Sequence, residues 1–483
     1  MFDYETIIDN FSRVRVLCVG DIMLDKFVYG QVDRISPEAP IPVFNIKEER
    51  VMLGGAGNVM RNLISLGAHT TLVSVIGGDK IGHEVTAMVG KEANVLPLLV
   101  TESNRITTTK TRYVAGTHQV LRADHEVVSA ISADTARKVI DSVTGEMDNV
   151  DIVIISDYGK GLLTRDVLHN VIQAANAKKK PVLVDPKSRD FGMYYGATLV
   201  SPNLHELSNA TNQELKTDAE ITAAAEKLIT NFNIANVLVT RSKDGMTLIT
   251  NSGDTHNIKA RAQEVFDVSG AGDTAIATLA LGIAAGLSFQ DSATIANIAA
   301  GVVVGRIGTA TIAAQDLKTE LFVHEKTSGT HKILSLTDAK IYADRWKREG
   351  KVVGFTNGCF DLMHTGHLAI LNGTKSQCDK LIVAVNSDAS VKRLKGANRP
   401  INSEIERALL LASLSVVDMV IIFTEDTPVE LIKELKPDVL AKGADYQKHQ
   451  VVGHEIVESY GGKIVLVPLK EGYSTTNLIK RVV

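Results

Sequence analysis

Short apolar runs bounded by glycine, carboxylates or other polar residues recur along the chain and predict buried strands. They lie at 14–20, 71–76, 152–156, 181–185, 199–201, 237–240 and 247–250, with a further strand-like piece at 41–46. Between several of them the apolar period lengthens to about 3.6, which predicts helices at 59–66 and 218–231. The run 275–285 is small and apolar throughout, as in a buried helix. Strands alternating with helices predict a largely parallel sheet with helices on both faces. Polar clusters follow several strand ends: Asp157-Tyr-Gly-Lys-Gly161, Asp185-Pro-Lys187, Asn203-Leu-His-Glu206 and Arg241-Ser-Lys-Asp-Gly245. Asp21 and Asp25 follow the first strand, at the edge where open α/β sheets place ligands.

The character changes near 316–335, where Val323–His331 is polar with no periodic core face. The expected organisation is a domain over 1–320, a linker over 321–340 and a second domain over 341–483. An amphipathic helix is expected at 338–349, then strands at 351–355, 381–385, 419–423, 439–441 and 463–467.

Composition narrows the class. The 483 residues are 45% hydrophobic and 22% charged, which is globular rather than disordered. The net charge of −4 gives no electrostatic reason to expect nucleic acid as a partner. Three cysteines without a CxxC pair suggest a reducing compartment and no disulfide framework. The first residues carry no basic segment followed by an apolar core, and 275–285 is too short to span a bilayer. A cytoplasmic protein with no membrane partner is the expectation.

Asp267-Val-Ser-Gly-Ala-Gly-Asp273-Thr274 precedes the apolar helix. Glycines there allow close backbone approach, and the first helical amides with the helix dipole form an anion hole. A carboxylate at the lip of such a hole suits a general base beside a phosphoryl group in transfer. Alone, the motif also fits a glycine-rich turn with Asp273 as an N-terminal helix residue. Leu53-Gly-Gly-Ala-Gly-Asn58 opens another helix, where Asn58 could bond hydroxyls or cap.

Together, Gly54–Asn58, Asn203-x-x-Glu206 and Asp267–Asp273 resemble the ribokinase-like sugar kinases over roughly residues 10–320. The resemblance implies a three-layer α/β domain with Asp273 as base and the amides of Gly270, Ala271 and Gly272 as the anion hole. It also implies Asn203 and Glu206 near Mg²⁺ and the nucleotide phosphates, and a sugar site at Asp25, Gly54, Gly55 and Asn58. Val268-Ser269 stands where that family often has Thr-Thr. A phosphorylated sugar needs added cations, and Lys110, Arg112, Arg122, Lys160, Lys187 and Arg189 lie in or near candidate loops. Each is individually more often a solvated charge. Lys187, directly after a strand end, is the expected reader.

In the second domain a strand leads into Thr356-Asn-Gly-Cys-Phe-Asp361 and His364-Thr-Gly-His367, then a helix. The two imidazoles, three residues apart, share one side of the first turn. They could bind Zn²⁺, but no convincing ligand set accompanies them. Imidazole donors and helix amides suit a triphosphate and charge building on leaving pyrophosphate. With Lys442-Gly-Ala-Asp-Tyr446 and Tyr473-Ser-Thr-Thr476, this region resembles the HxGH nucleotidyltransferases, with a Rossmann-like fold. The resemblance implies catalytic roles for His364 and His367, and nucleotide contacts from Phe360, Asp388, Arg399, Lys442, Ser474, Thr475 and Thr476. Capping is the plainer role for Ser474.

The fused pair resembles the bifunctional heptose 7-phosphate kinase/heptose 1-phosphate adenylyltransferases. That implies ATP with Mg²⁺ as cosubstrate, no direct structural metal ligands, heptose phosphates as substrates, a separate phosphatase between the two steps, and a homodimer. HxGH does not choose the base, so a cytidylyltransferase acting on another sugar or alditol phosphate is the alternative.

Overall fold

The computed structural model describes residues 4–468 apart from 117, 261–267, 307–309, 329–331 and 445. The chain divides into two compact units, Phe2–Leu321 and Phe322–Val483.

The strands of the first unit are β1 (Arg15–Gly20), β2 (Ile22–Ile35), β3 (Pro42–Gly55), β4 (His69–Gly77), β5 (Val95–Glu102), β6 (Thr109–Ala115) and β7 (His118–His125). They continue with β8 (Ile152–Ser156), β9 (Val182–Asp185), β10 (Leu199–Val200), β11 (Asn236–Thr240), β12 (Met246–Thr250) and β13 (Thr255–Ile258). Nine form one sheet in the order β13-β12-β11-β10-β9-β8-β1-β4-β5, parallel except for the hairpin edge β11-β12-β13. Alternate β1 residues face opposite cores: Val16 and Cys18 pack with the helix Ala271–Ala284, Leu17 and Val19 with the helices Ala133–Glu146 and Arg165–Ala177. Both faces are covered, so the strands read as continuous apolar runs. The result is a three-layer α/β unit. The strand order reverses direction beside β1, and Asp21 follows its carboxyl end there.

The strand-like piece at 41–46 belongs to a longer element. β2 and β3 are 14 residues each and pair antiparallel from Ile22↔Gly55 out to Ile35↔Pro42. With β6 and β7 they make a second sheet, ordered β3-β2-β6-β7, whose outer half is exposed. This half-solvated sheet lacks the apolar density that marks the other strands.

The second unit holds β14 (Val353–Gly358), β15 (Lys380–Asn386), β16 (Met419–Phe423), β17 (Val439–Gly443) and β18 (Lys463–Val467). They form an all-parallel sheet, ordered β16-β15-β14-β17-β18, with cores on both faces. Its switch point is at β14, whose carboxyl end runs into the HxGH segment. The stretch 321–340 carries the end of a helix, Ala314–Ser328, and the start of the next, Leu336–Arg348.

Candidate active sites

Asp273 lies in the first turn of Ala271–Ala284 and is 4% exposed. Asn58 Nδ2 donates to its Oδ2 at 2.7 Å, and the Tyr158 hydroxyl donates to its Oδ1 at 2.7 Å. Burial pushes its carboxyl up to about 6, against the lowering effect of those two bonds; Asp25 adds to the rise and Lys110 opposes it. That is the range of a base poised near neutral pH. Asn58 Oδ1 is buried and, among the described residues, has no hydrogen-bond partner, so the site keeps an acceptor for a hydroxyl donor. Asn58 is held in turn by its helix, Ala56–Ser65, which starts on the Asp21 carbonyl (Ala56 N–H, 3.0 Å).

Gly270 caps the Asp273 helix at φ +83°, a conformation that glycine adopts without strain. A side chain at Gly272 would meet nothing within 4 Å, so the helix start opens on free space. Of the expected anion-hole amides, that of Ala271 makes a turn bond to the Val268 carbonyl at 3.3 Å. Asp267 lies outside the described residues.

Asp25, on β2, is buried and pairs with Arg112 on β6 at 2.6 Å. Its Oδ2 would stand 2.2 Å from a Cβ at Gly54, so Gly54 is the residue that admits this carboxylate. Gly55 (φ +59°) completes the turn. Around Asp25 lies a cluster of cations from the second sheet and the loop after β8. Lys160 pairs with Glu126 at 2.7 Å and Arg122 with Asp124 at 2.6 Å. Lys110 lies 5.8 Å from the Tyr158 ring centroid, a cation–π contact. Burial holds its ammonium below the usual lysine range, and Lys160 and Arg122 push it further down. A cation crowded by cations is a place for an anion.

Lys187 stands elsewhere. Its Nζ is 3.3 Å from Glu206, and its side chain is mostly exposed. It therefore joins the Asn203–Glu206 group rather than the Asp25 cluster. Asn203 and Glu206 form a reciprocal capping box: Asn203 Oδ1 accepts the Glu206 N–H at 2.9 Å, and Glu206 Oε2 accepts the Asn203 N–H at 3.0 Å. Asp185 lies nearby; burial first, then Asp273, Glu206 and Asp157, push its carboxyl well above the usual range. Among the described residues no group of three or more His, Cys, Asp or Glu side chains is arranged to hold a metal ion.

In the second unit His364 caps, and His367 lies within, the helix Thr365–Lys375. Burial lowers both imidazoles, that of His367 to about 4 with help from His364 and Lys395. Phe360, at φ +47°, brings its ring 5.0 Å from that of His367. This left-handed non-glycine backbone is a conformation that proteins keep where a site requires it. Asp361 is buried and accepts from the Arg399 guanidinium and from the Ile401 (2.7 Å) and Asn402 (3.2 Å) amides. Arg399 Nη2 is buried and, among the described residues, unpartnered, as is Asn357 Oδ1. Lys442 Nζ reaches the Asn357 carbonyl at 2.7 Å. Asp388, Arg399, Lys442, Phe360 and both histidines thus line the carboxyl ends of β14, β15 and β17 and the segments that follow. Ser474, Thr475 and Thr476 lie outside the described residues.

Two residues escaped sequence reasoning. Tyr158 sat inside a cluster read only as polar, although glycines at 159 and 161 hinted at a shaped loop. Arg407 is fully buried; it donates to the Cys359 carbonyl (2.6 Å), the Asn402 carbonyl (3.1 Å) and Asp388 (2.7 Å). The available signal was its spacing: 407, 408, 411 and 412 make one buried stripe of the helix Glu404–Ala412.

The two sites have known counterparts. A profile described as pfkB family carbohydrate kinase matches residues 14–316, and one described as cytidylyltransferase-like matches 355–481. The first unit is similar in fold to phosphofructokinase-2 from Escherichia coli (TM-score 0.55, 20% identity, 64% of this chain and 99% of that one). It is similar also to Arabidopsis thaliana ribokinase (TM-score 0.52, 20% identity, 64% and 98%). Over its whole length the chain is 50% identical to the Bifunctional protein HldE of Paramagnetospirillum magneticum, covering 100% of this chain and 99% of that protein. The Caulobacter vibrioides protein of the same name is 48% identical, over 98% and 97%. A sugar-kinase unit with a buried, hydroxyl-bonded aspartate precedes a nucleotidyltransferase unit with paired imidazoles, and the chain belongs to the family of bifunctional HldE proteins.

Proposed function

We propose that the first unit phosphorylates D-glycero-β-D-manno-heptose 7-phosphate at its anomeric hydroxyl. The second unit joins D-glycero-β-D-manno-heptose 1-phosphate to AMP, giving ADP-heptose for the lipopolysaccharide core. The carrying observation is the base Asp273 beside a cation cluster around Asp25: one end of the site suits a hydroxyl acceptor, the other an anion.

In the first step the anomeric O–H gives its proton to Asp273. Its oxygen bonds to the γ-phosphorus of ATP, and the bond to the bridging oxygen breaks, releasing ADP. The Gly270–Gly272 turn and the helix dipole face the charge on the transferring group. Asn58 and Asp25 address sugar hydroxyls. Lys110 and Lys160, rather than Lys187, read the 7-phosphate, which displaces Glu126 from Lys160. Asn203 and Glu206, whose side chains also close a helix cap, would address a nucleotide-bound Mg²⁺ through its waters, and the ion would supply charge neutralisation on the phosphates.

In the second step a sugar-phosphate oxygen attacks the α-phosphorus of ATP and pyrophosphate leaves. The acceptor is already an anion, so no base is required. His364, His367, Arg399 and Lys442 orient the triphosphate and receive its charge, and Ser474–Thr476 would join them. A separate phosphatase removes the 7-phosphate between the steps. No helix among the described residues is long and apolar enough to cross a membrane, and the enzyme works in the cytoplasm. It pairs as a homodimer through the second sheet of the first unit, where Ile35, Ile41, Ile46 and Leu121 are more than half exposed.

Product analysis tests the reading, using full-length Asp273→Asn for the second activity and His367→Ala for the first. The heptose 7-phosphate should be preferred over unphosphorylated heptose. Pyrophosphate should be released with ATP. Release with CTP alone would replace the adenylyl reading by the cytidylyl one.

A further inference from the structure

Asp21 was given no substrate contact above, yet it is bonded to the backbone of Lys160, and both partners of the proposed base are tied to it. It follows β1 at the switch point and is 4% exposed. Its Oδ2 accepts the Tyr158 N–H at 3.1 Å and the Lys160 N–H at 3.0 Å; its Oδ1 is approached by the Leu162 N–H at 3.4 Å. Its own carbonyl accepts the Ala56 N–H at 3.0 Å, which starts the helix bearing Asn58.

The loop from Tyr158 to Leu162 is closely confined. Gly161 is at φ +99°, and a Cβ there would lie 1.9 Å from the Ser129 carbonyl oxygen. Three alternate amides, those of residues 158, 160 and 162, converge on one carboxylate, a concave arrangement that suits an anion at its centre. The side chains leaving this loop go two ways. The Tyr158 hydroxyl reaches Asp273, and Lys160 Nζ reaches Glu126 in the cation cluster.

We propose that Asp21 is a positioning residue that couples recognition of the sugar's distal phosphate to the base, by fixing the Tyr158–Leu162 backbone from which both Tyr158 and Lys160 extend. The proposal rests on the kinase reading of Asp273 and of the cation cluster. Among the described residues the base is faced by Asn58, Tyr158, Asp25, Lys110, Asp185 and Cys18, of which Asn58 and Tyr158 hydrogen-bond to it. Loosening Tyr158 removes a bond that lowers the Asp273 carboxyl, so the acidic limb of the kinase profile moves to higher pH.

The test compares full-length Asp21→Asn, Tyr158→Phe and Lys160→Gln. Asparagine keeps the shape but turns an NH₂ group toward amide donors. Tyr158→Phe should move the acidic limb, and Lys160→Gln should raise the KM for sugar phosphate. Asp21→Asn should do both, by roughly tenfold in kcat/KM, with the KM for ATP unchanged. Asp21→Asn combined with Tyr158→Phe should shift the limb by less than the sum of the single shifts, because both act through one hydroxyl. A wild-type limb and a wild-type sugar-phosphate KM in Asp21→Asn, while the other two variants shift theirs, would overturn the coupling alone. Full kinase activity in Asp273→Asn would instead overturn the underlying reading. Asp21→Ser, which keeps one short acceptor, is the second variant. Loss of the first unit's cooperative unfolding in both Asp21 variants would overturn the proposal in favour of a purely structural carboxylate.

Discussion

The imidazoles of His364 and His367 are stacked, 3.8 Å between centroids and 22° from parallel. Two cations at that distance repel strongly, and burial already disfavours charge on either ring. The free enzyme therefore holds His367 neutral down to about pH 4. A bound triphosphate reverses the balance, since an anion favours the imidazolium. ATP binding near pH 5.5 should take up protons, and His367→Asn should reduce that uptake. Calorimetry in two buffers of different ionisation enthalpy measures it; equal heats in both would contradict the assignment.

A carboxyl titrating at about 6 gives the kinase a visible pH dependence. As the proposed base, Asp273 would work only when ionised, so kcat/KM should rise with pH through about 6 and then level. Asp273→Asn should lower kinase turnover by roughly a thousandfold while adenylyl transfer continues. A coupled assay of each half-reaction across pH 5–8 separates the two.

The cation cluster around Asp25 predicts a contrast between lysines. Lys110→Met should raise the KM for sugar phosphate by about tenfold or more, the loss of one charge-assisted bond. Lys187→Met should leave that constant near wild type and act, if at all, on the nucleotide, because its partner is Glu206. Equal effects of the two substitutions would contradict this division.

Gly54→Ala should abolish sugar binding with little change in the second activity. Its methyl group would stand 2.2 Å from Asp25 Oδ2, so either the carboxylate or the strand pair must move. Titration with the sugar phosphate in the absence of nucleotide reads the effect directly.

Arg407→Leu should unsettle the second unit. It would leave two carbonyls and Asp388 without their buried partner, at a cost of about 2–4 kcal/mol. Thermal unfolding should show the second unit melting earlier while kinase activity persists.

What the sequence disclosed follows from where each signal is stored. Buried parallel strands such as Ile152–Ser156 are written as unbroken apolar runs, and motifs such as Asp273 and His364–His367 are contiguous. The second sheet of the first unit was mostly hidden, because its outer halves are polar and exposed and only its pairing makes it a sheet. Tyr158 is separated by 115 residues from Asp273, and no periodicity links them. Lys187 was the expected phosphate reader because strand ends collect ligands; the cations nearest Asp25 instead come from β6, β7 and the loop after β8. Arg407 drew no notice, since sequence gives no account of the carbonyls waiting at 359 and 402.

Asn58 and Tyr158 together occupy both oxygens of Asp273 before any sugar arrives. Each oxygen keeps a second lone pair, but the two fixed donors set where it points, so an acceptor hydroxyl must be held in one place to be deprotonated. A sugar held by several hydroxyls and a distal phosphate meets that demand, whereas water has no such anchors. The same pair of bonds that orients the proposed base thus favours a sugar over water as the phosphoryl acceptor.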